Sequence, residues 1–388
     1  MSSKTSLTLL LVNIFLAMLG IGLIIPVLPE FLKEFDAGGQ AAGYLVSAFG
    51  LTQFMFSPIA GEWSDKYGRK PMIVIGLSLF ALSNLLAAVA GDLTILFVSR
   101  LIGGIGSAAL IPSIMAYLAD ITTDEQRGRG MTLLGAAMSS GFIIGPGVGG
   151  LLAEFGIRAP FFASAGIGLV AMLCSLVLLP ESLSPEQRLR RRQSKDKRES
   201  VFRQLALSFK SKYFILLFIV FALTFGLTHF EAIFPLFVVQ RYGFTTRDIA
   251  ILIMVCSLLG TVNQLVLSGW LTRRFGEKAI VDYTLLLSAV ALVLMLLSGN
   301  FFYVLIIMML FFTFNNIMRP TLNTLLSKQA GEDQGFVAGM NNAYMSLGNI
   351  FGPALAGILF DVHMNLPYLF GAFVLFVSFL IAFKYIRK

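Results

Sequence analysis

The chain has 388 residues, 57% of them hydrophobic and 13% charged, with a mean hydropathy of +0.83. A soluble protein carries about a quarter charged residues, so lipid as well as a packed core must cover these side chains, and the chain reads as a polytopic membrane protein. The net charge of +8 lies in short segments between apolar runs, which argues against a nucleic-acid surface. Cys174 and Cys256, both inside apolar runs, support neither a disulfide framework nor a metal cluster.

The first apolar run, within "SLTLLLVNIFLAMLGIGLIIPVLPEFL", exceeds the roughly 7 to 15 residues of a signal-peptide core and has no evident cleavage site. It is read as a retained first span. A bilayer-crossing helix needs about 20 mostly apolar residues, and such runs recur at 7–31, 42–61, 71–91, 94–118, 131–152, 160–179, 213–239, 249–271, 280–297, 302–325, 336–360 and 366–385. The longest polar interval divides these twelve predicted helices into an N-terminal bundle (1–180), a linker (181–212) and a C-terminal bundle (213–388). With the N-terminus inside, interior loops and tails hold 23 Lys and Arg, exterior loops hold four, and Arg100 and Arg319 lie within spans. The positive-inside rule then places both termini and the linker in the cytoplasm. The linker's basic run "RLRRRQSKDKR" suits a topology anchor, with anionic lipid as a further contact.

The two halves repeat. At an offset of 208, "GEWSDKYGRK" (61–70) aligns with "GWLTRRFGEK" (269–278), and "DEQ" (124–126) with "EDQ" (332–334); at 207, "GFIIGPGVGG" (141–150) aligns with "GNIFGPALAG" (348–357). Parallel six-span repeats match the architecture of major facilitator transporters, whose substrate site lies near the membrane midplane.

These segments also resemble that superfamily's signatures. "GEWSDKYGRK" is similar to its loop between spans two and three, "LFVSRLIGGIGSAAL" to its fourth-span signature centred on Arg100, and "GFIIGPGVGG" to the fifth-span signature of drug:proton antiporters. Over the whole chain, "LGIGLIIPVLPEFL", "TFGLTHFEAIF" and "SLGNIFGPALAGILFDVH" resemble bacterial multidrug exporters of the NorA, Bmr and Blt type. The resemblance implies an all-α major facilitator fold of twelve transmembrane helices. It also implies proton-coupled export of amphipathic, often cationic drugs or dyes across a bacterial cell membrane, by a monomer needing no cofactor, metal or nucleic acid.

In "GEWSDKYGRK", Gly61 admits a neighbouring helix and Gly68 permits a tight turn, while Asp65, Arg69 and Lys70 form a charged latch at the cytoplasmic surface. The resemblance implies that Asp65 caps span eleven and that Arg69 pairs with Asp120 below span four. Arg273 stands where the second copy would repeat Asp65, so the latch is expected to be asymmetric. In the fifth-span motif, Gly141, Gly145, Gly149 and Gly150 allow close backbone approach and Pro146 bends the helix. Such a face suits a seal between spans five and eleven, with Gly352 and Pro353 as its second copy, or simple helix packing.

Ionisable groups within spans are costly and are functional candidates by default; here they are Arg100, Glu231 and Arg319. Around Glu231, Thr224, Thr228 and Pro235 share a small polar face, expected to line a cavity. Phe312, Asn316, Arg319 and Asn323 form a stripe on span ten; with Gln53, Phe142 and Asn342 they are candidates for an aromatic-walled drug pocket. Low dielectric disfavours the ionised carboxylate, so Glu231 suits a proton carrier that exchanges its proton for a cationic drug. The alternative is a structural carboxylate neutralised by Arg319. The resembling exporters carry an acid where this chain has Asn316, which leaves Glu231 as the central proton carrier of the second half. His229 lies about 200° around the helix from Glu231 and is read as a bystander. There is no phosphate-binding loop. A narrower metabolite or sugar exporter, and a membrane enzyme or lipid-handling protein using Glu231 chemically, stay open.

Overall fold

A computed structural model describes residues 3–193, 201–330 and 333–385. Its helices are, in order, α1 (Ser3–Ile24), a 3-10 turn (Ile25–Val27), α2 (Leu28–Lys33), α3 (Gly39–Tyr67), α4 (Arg69–Ala88), α5 (Leu93–Ile121), α6 (Asp124–Ala153) and α7 (Ala159–Leu178). After these come α8 (Pro185–Gln193), α9 (Val201–Ser208), α10 (Phe214–Tyr242), α11 (Thr246–Phe275), α12 (Glu277–Leu294), α13 (Phe301–Ala330), α14 (Gln334–Val362) and α15 (Leu366–Tyr385). No strand forms among the described residues. The first span is α1 through α2, broken where Pro26 and Pro29 each remove a backbone donor. Spans two to six are α3 to α7, and spans seven to twelve are α10 to α15.

Among the described residues ten stretches are long and apolar enough to cross a membrane by composition alone; α3 and α12 fall short. Glu277, Lys278 and Asp282 crowd the eighteen residues of α12, and α3 carries Gln40, Thr52, Gln53, Glu62, Asp65 and Lys66. Several helices outrun their predicted spans, α13 by reaching Ala330, because a helix continues into water after its hydropathy falls. The linker, read as a topology anchor, carries the short helices α8 and α9; residues 194–200, with part of its basic cluster, lie outside the described residues.

The membrane setting shows in an inverted burial pattern. On α7, Ser164, Ala165, Gly168, Ala171 and Ser175 are buried, whereas Phe162, Leu169, Val170, Leu173 and Val177 are exposed. Water would drive the opposite arrangement. In lipid, apolar side chains lose nothing by facing outward, and small residues inside let helices approach.

The described residues fall into two compact units, one within 1–36, 48–197 and 246–254, the other within 37–47, 198–245 and 255–388. In the first, α1 packs on α6 and α7, and α4 on α5 and α7; in the second, α10 packs on α14 and α15, and α12 on α13 and α15. The sequence repeat therefore recurs as the same set of helix pairs.

Candidate functional site

The site residues are built on two frames, one per unit. In the first unit, Gly68 ends the loop after α3 with φ of +117° and forms the N-cap of α4. A Cβ there would also lie 2.2 Å from Glu181 Oε2, so only glycine fits. Glu181 accepts from the backbone N–H of Arg69 at 2.9 Å and of Lys70 at 3.2 Å, which satisfies two of the four donors a helix start leaves open. Sequence reasoning missed Glu181; its only signal was an acid directly after Pro180 at the end of the sixth span.

Arg69 is 5% exposed. Its Nη2 meets Asp65 Oδ1 at 2.8 Å, Nε donates to Asp120 Oδ2 at 3.1 Å, and Nη1 donates to Ser64 Oγ at 3.1 Å. Ser182 donates to the same Asp120 oxygen at 2.9 Å, and Ser113 donates to Ser64 at 3.0 Å. The structure thus brings Asp65, Arg69 and Asp120 into one buried network tying α3, α4 and α5 together. Gly61 does not do what was expected of it: a Cβ there would touch nothing within 4 Å.

In the second unit the corresponding positions hold Arg273, Glu277 and Lys328, and Lys328 Nζ pairs with the Glu277 carboxylate between α12 and α13. The asymmetry read from Arg273 is thus a charge inversion that preserves the bridge. This copy is the more open one: the Lys328 side chain is 62% exposed, against 6% for Arg69. Lys328, donating to Glu277, holds that carboxyl below its ordinary value of 4.5.

The glycine motif packs within its own unit, as the helix-packing reading expects. Cβ atoms added to Gly141, Gly145 and Gly149 would lie 2.4, 2.7 and 2.1 Å from the carbonyl oxygens of Phe15, Leu19 and Leu23. This ridge therefore packs backbone to backbone on α1. Pro146 is buried beside it, its ring against Gly22, and Phe142 is partly buried on the same helix. The second copy behaves alike: Gly348 and Gly352 approach Thr224, Phe225 and Thr228 of α10, and Thr228 donates to the Gly348 carbonyl at 3.1 Å. Thr224 and Thr228, expected to line a cavity, are instead taken up by this seam, and Pro235 is buried. Their spacing could not distinguish a cavity from a facing ridge of glycines.

Within that polar face Glu231 and Thr228 are both partly open, but Thr228 is hydrogen-bonded into the seam. The Glu231 carboxylate makes no hydrogen bond or contact ion pair among the described residues, although it interacts electrostatically with Arg319. Arg319 is exposed on α13. One turn earlier Asn316 sits against α11, its Nδ2 2.5 Å from where a Cβ on Gly260 would be. The Phe312 ring packs edge-on to Phe230 with centroids 6.1 Å apart, and Asn342 is exposed on α14. His229 is no loose bystander. It is 2% exposed, and its ring nitrogens lie 3.0 Å from the Gly352 carbonyl oxygen and 2.8 Å from that of Pro367, tying α10 to α14 and α15.

In the first unit, Gln53 of α3 donates to Ser107 of α5 at 2.9 Å. Arg100 Nε reaches the neighbouring Ser99 hydroxyl at 3.5 Å, and its buried Nη2 has no hydrogen-bond partner among the described residues. The same residues contain no group of His, Cys, Asp and Glu able to hold a metal ion.

The chain is 45% identical over 375 residues to multidrug resistance protein 2 of Bacillus subtilis, covering 97% of this chain and 94% of that one. It is 34% identical to the quinolone resistance protein NorA of Staphylococcus aureus, covering 92% and 90%. The crystal structure of a bacterial homolog of the human lysosomal transporter Spinster superposes with a TM-score of 0.82 at 14% identity, over 99% of this chain and 97% of that one, a likeness of fold alone. The family model described as Major Facilitator Superfamily matches residues 10–350 and, overlapping, 264–388. With twelve long helices in a repeated packing scheme and a match over nearly its whole length, this membrane protein belongs to the Major Facilitator Superfamily.

Proposed function

We propose that the chain exports amphipathic, often cationic drugs in exchange for protons, by alternating access, across a bacterial cell membrane with both termini in the cytoplasm. The observation that carries the proton half of this reading is Glu231: a carboxylate in a membrane helix, partly open, with no contact partner among the described residues and an arginine within electrostatic range. A group so placed exchanges protons without first breaking a structural bond. When deprotonated it attracts a cation; when protonated it releases one. The export half rests on the likeness to proteins named for multidrug and quinolone resistance, and transport, not covalent turnover, is the activity of such a chain.

In this reading Gln53, Phe142, Phe312, Asn316, Arg319 and Asn342 contribute with Glu231 to drug contact. Asp65, Gly68, Arg69, Arg100, Asp120, Gly145, Pro146, Gly352 and Pro353 act on conformation, and the bundles 1–180 and 213–388 are the moving parts. Purified protein in liposomes with an imposed pH gradient tests it. Glu231→Gln should abolish uphill dye efflux while leaving helix content unchanged, and undiminished uphill efflux in that variant excludes Glu231 from coupling.

A further inference from the structure

We propose that Asp361 is an exterior latch, a carboxylate on α14 that caps the start of α3 and holds the exterior ends of these two helices together. The charge bias of the loops puts residues 38–40 and 361 on the exterior side. Helix α3 begins "DAGGQ", and Gly38 and Gly39 have no side chain with which to satisfy its first N–H groups. Asp361 supplies the acceptors from 322 residues away: Oδ1 takes the Gly39 N–H at 2.7 Å and Oδ2 the Gln40 N–H at 2.9 Å. By contrast, α11, the equivalent helix of the second half, begins with Thr245 and Asp248 at capping-box spacing. The helix that could not cap itself is the one capped from another helix.

The rest of this seam is backbone against backbone. A Cβ on Gly43 would lie 2.1 Å from the Pro353 carbonyl oxygen, and one on Gly357 would lie 2.4 Å from that of Gly39. Ser47 donates to the Ile350 carbonyl at 2.6 Å. From residue 48 on, α3 turns to other partners, with Thr52 donating to the Leu101 carbonyl at 3.0 Å and Gln53 to Ser107. A single continuous helix is thus fastened to α14 along its first turns and to α5 beyond them. Parting the exterior ends strips the first N–H groups of α3 of their acceptor, so Asp361 biases the molecule toward a closed exterior. Its use in a cycle rests on the alternating-access reading; its existence as a latch does not.

The test follows maleimide labelling of Ser47→Cys from outside, with full-length protein in right-side-out vesicles and Cys174→Ser and Cys256→Ala in the background. Asp361→Ala should speed labelling about fivefold, the equilibrium factor matching the typical cost of a lost capping side chain, and Asp361→Asn should fall between. Adding Gly38→Asp to Asp361→Ala gives α3 its own cap. Amide-exchange protection of residues 39–42 should then return while labelling stays fast. The latch is overturned if Asp361→Ala labels at the parental rate, or if the local cap alone restores slow labelling. Asp361→Asn carries the same comparison should the alanine variant fail to accumulate. No substrate or gradient enters the measurement, so a failure of the export reading remains distinguishable from a failure of the latch.

Discussion

The two copies of the cytoplasmic bridge allow a quantitative comparison inside one molecule. Arg69 is 6% exposed in its side chain and makes three contacts of 3.1 Å or shorter, two of them to carboxylates. Removing one member of a buried charge network strands the others, at a cost of about 3–5 kcal/mol; Arg69→Ala leaves Asp65 and Asp120 facing each other across an unfilled space. The Glu277 and Lys328 side chains are 24% and 62% exposed, and a solvated pair of that kind contributes about 0–1 kcal/mol. Arg69→Ala should therefore destabilise severalfold more than Glu277→Ala. The two tryptophans supply the assay, because Trp63 lies on α3 near the first bridge and Trp270 on α11 near the second. Denaturant titration of single-tryptophan variants, Trp270→Phe for the first bridge and Trp63→Phe for the second, reports each one locally. A further variant borrows the inverted polarity. R69E alone places a third carboxylate beside Asp65 and Asp120, whereas D65R/R69E/D120K reproduces the charges of the second half and should recover at least half of the loss. Equal costs for Arg69→Ala and Glu277→Ala would refute the argument that burial sets the strength of each bridge.

Other outcomes follow from the same contacts. Asp65→Asn leaves Arg69 with Asp120 as its one carboxylate and should shift the population toward the inward-open state; unchanged cysteine accessibility on both faces would count against that role. Gly352→Val meets the Phe225 carbonyl, 2.8 Å from its Cβ, and should cost about 1–3 kcal/mol by overpacking, whereas Gly61→Ala, in open space, should stay within about 0.5 kcal/mol. Chemical denaturation of the two variants in one detergent compares them directly. The Glu277 carboxyl is held below its ordinary 4.5 by Lys328, so the bridge's contribution is fully present above that value and is lost as the pH falls through the lower folded one. Lys328→Met should weaken this acid-limb dependence without changing stability near neutral pH by more than about 1 kcal/mol.

Much of the architecture was legible in the chain because hydropathy is a local property. A run of twenty apolar residues must satisfy its backbone internally in lipid, so the helices, their approximate limits and the repeat can be read directly; the reach of Arg69 to an acid below span four was implied only by the family resemblance. Where polar residues sit inside a helix, that signal fades: α3 and α12 fall short by composition, although the apolar runs at 42–61 and 280–297 already pointed to them, and the repeated packing places them among the twelve.

Partnership between distant helices is a different kind of information. The glycines of the fifth-span motif announce that some backbone comes close, but a small-residue ridge is equally suited to any helix, and only tertiary packing assigns it to α1. Thr224 and Thr228 look like cavity walls until Gly348 and Gly352 are laid against them, and His229 looks idle until two carbonyls from other helices reach its ring. Glu181 and Asp361 carry no local signal at all, since each satisfies backbone donors of a helix more than a hundred residues away. By itself, the sequence determined that this is a repeated, twelve-helix membrane protein with a carboxylate in its seventh span. Which helices meet, and therefore which polar groups are latches, seams or left open, was decided only by the tertiary structure, because a helix end can be completed by any acceptor that the fold brings within 3 Å of it.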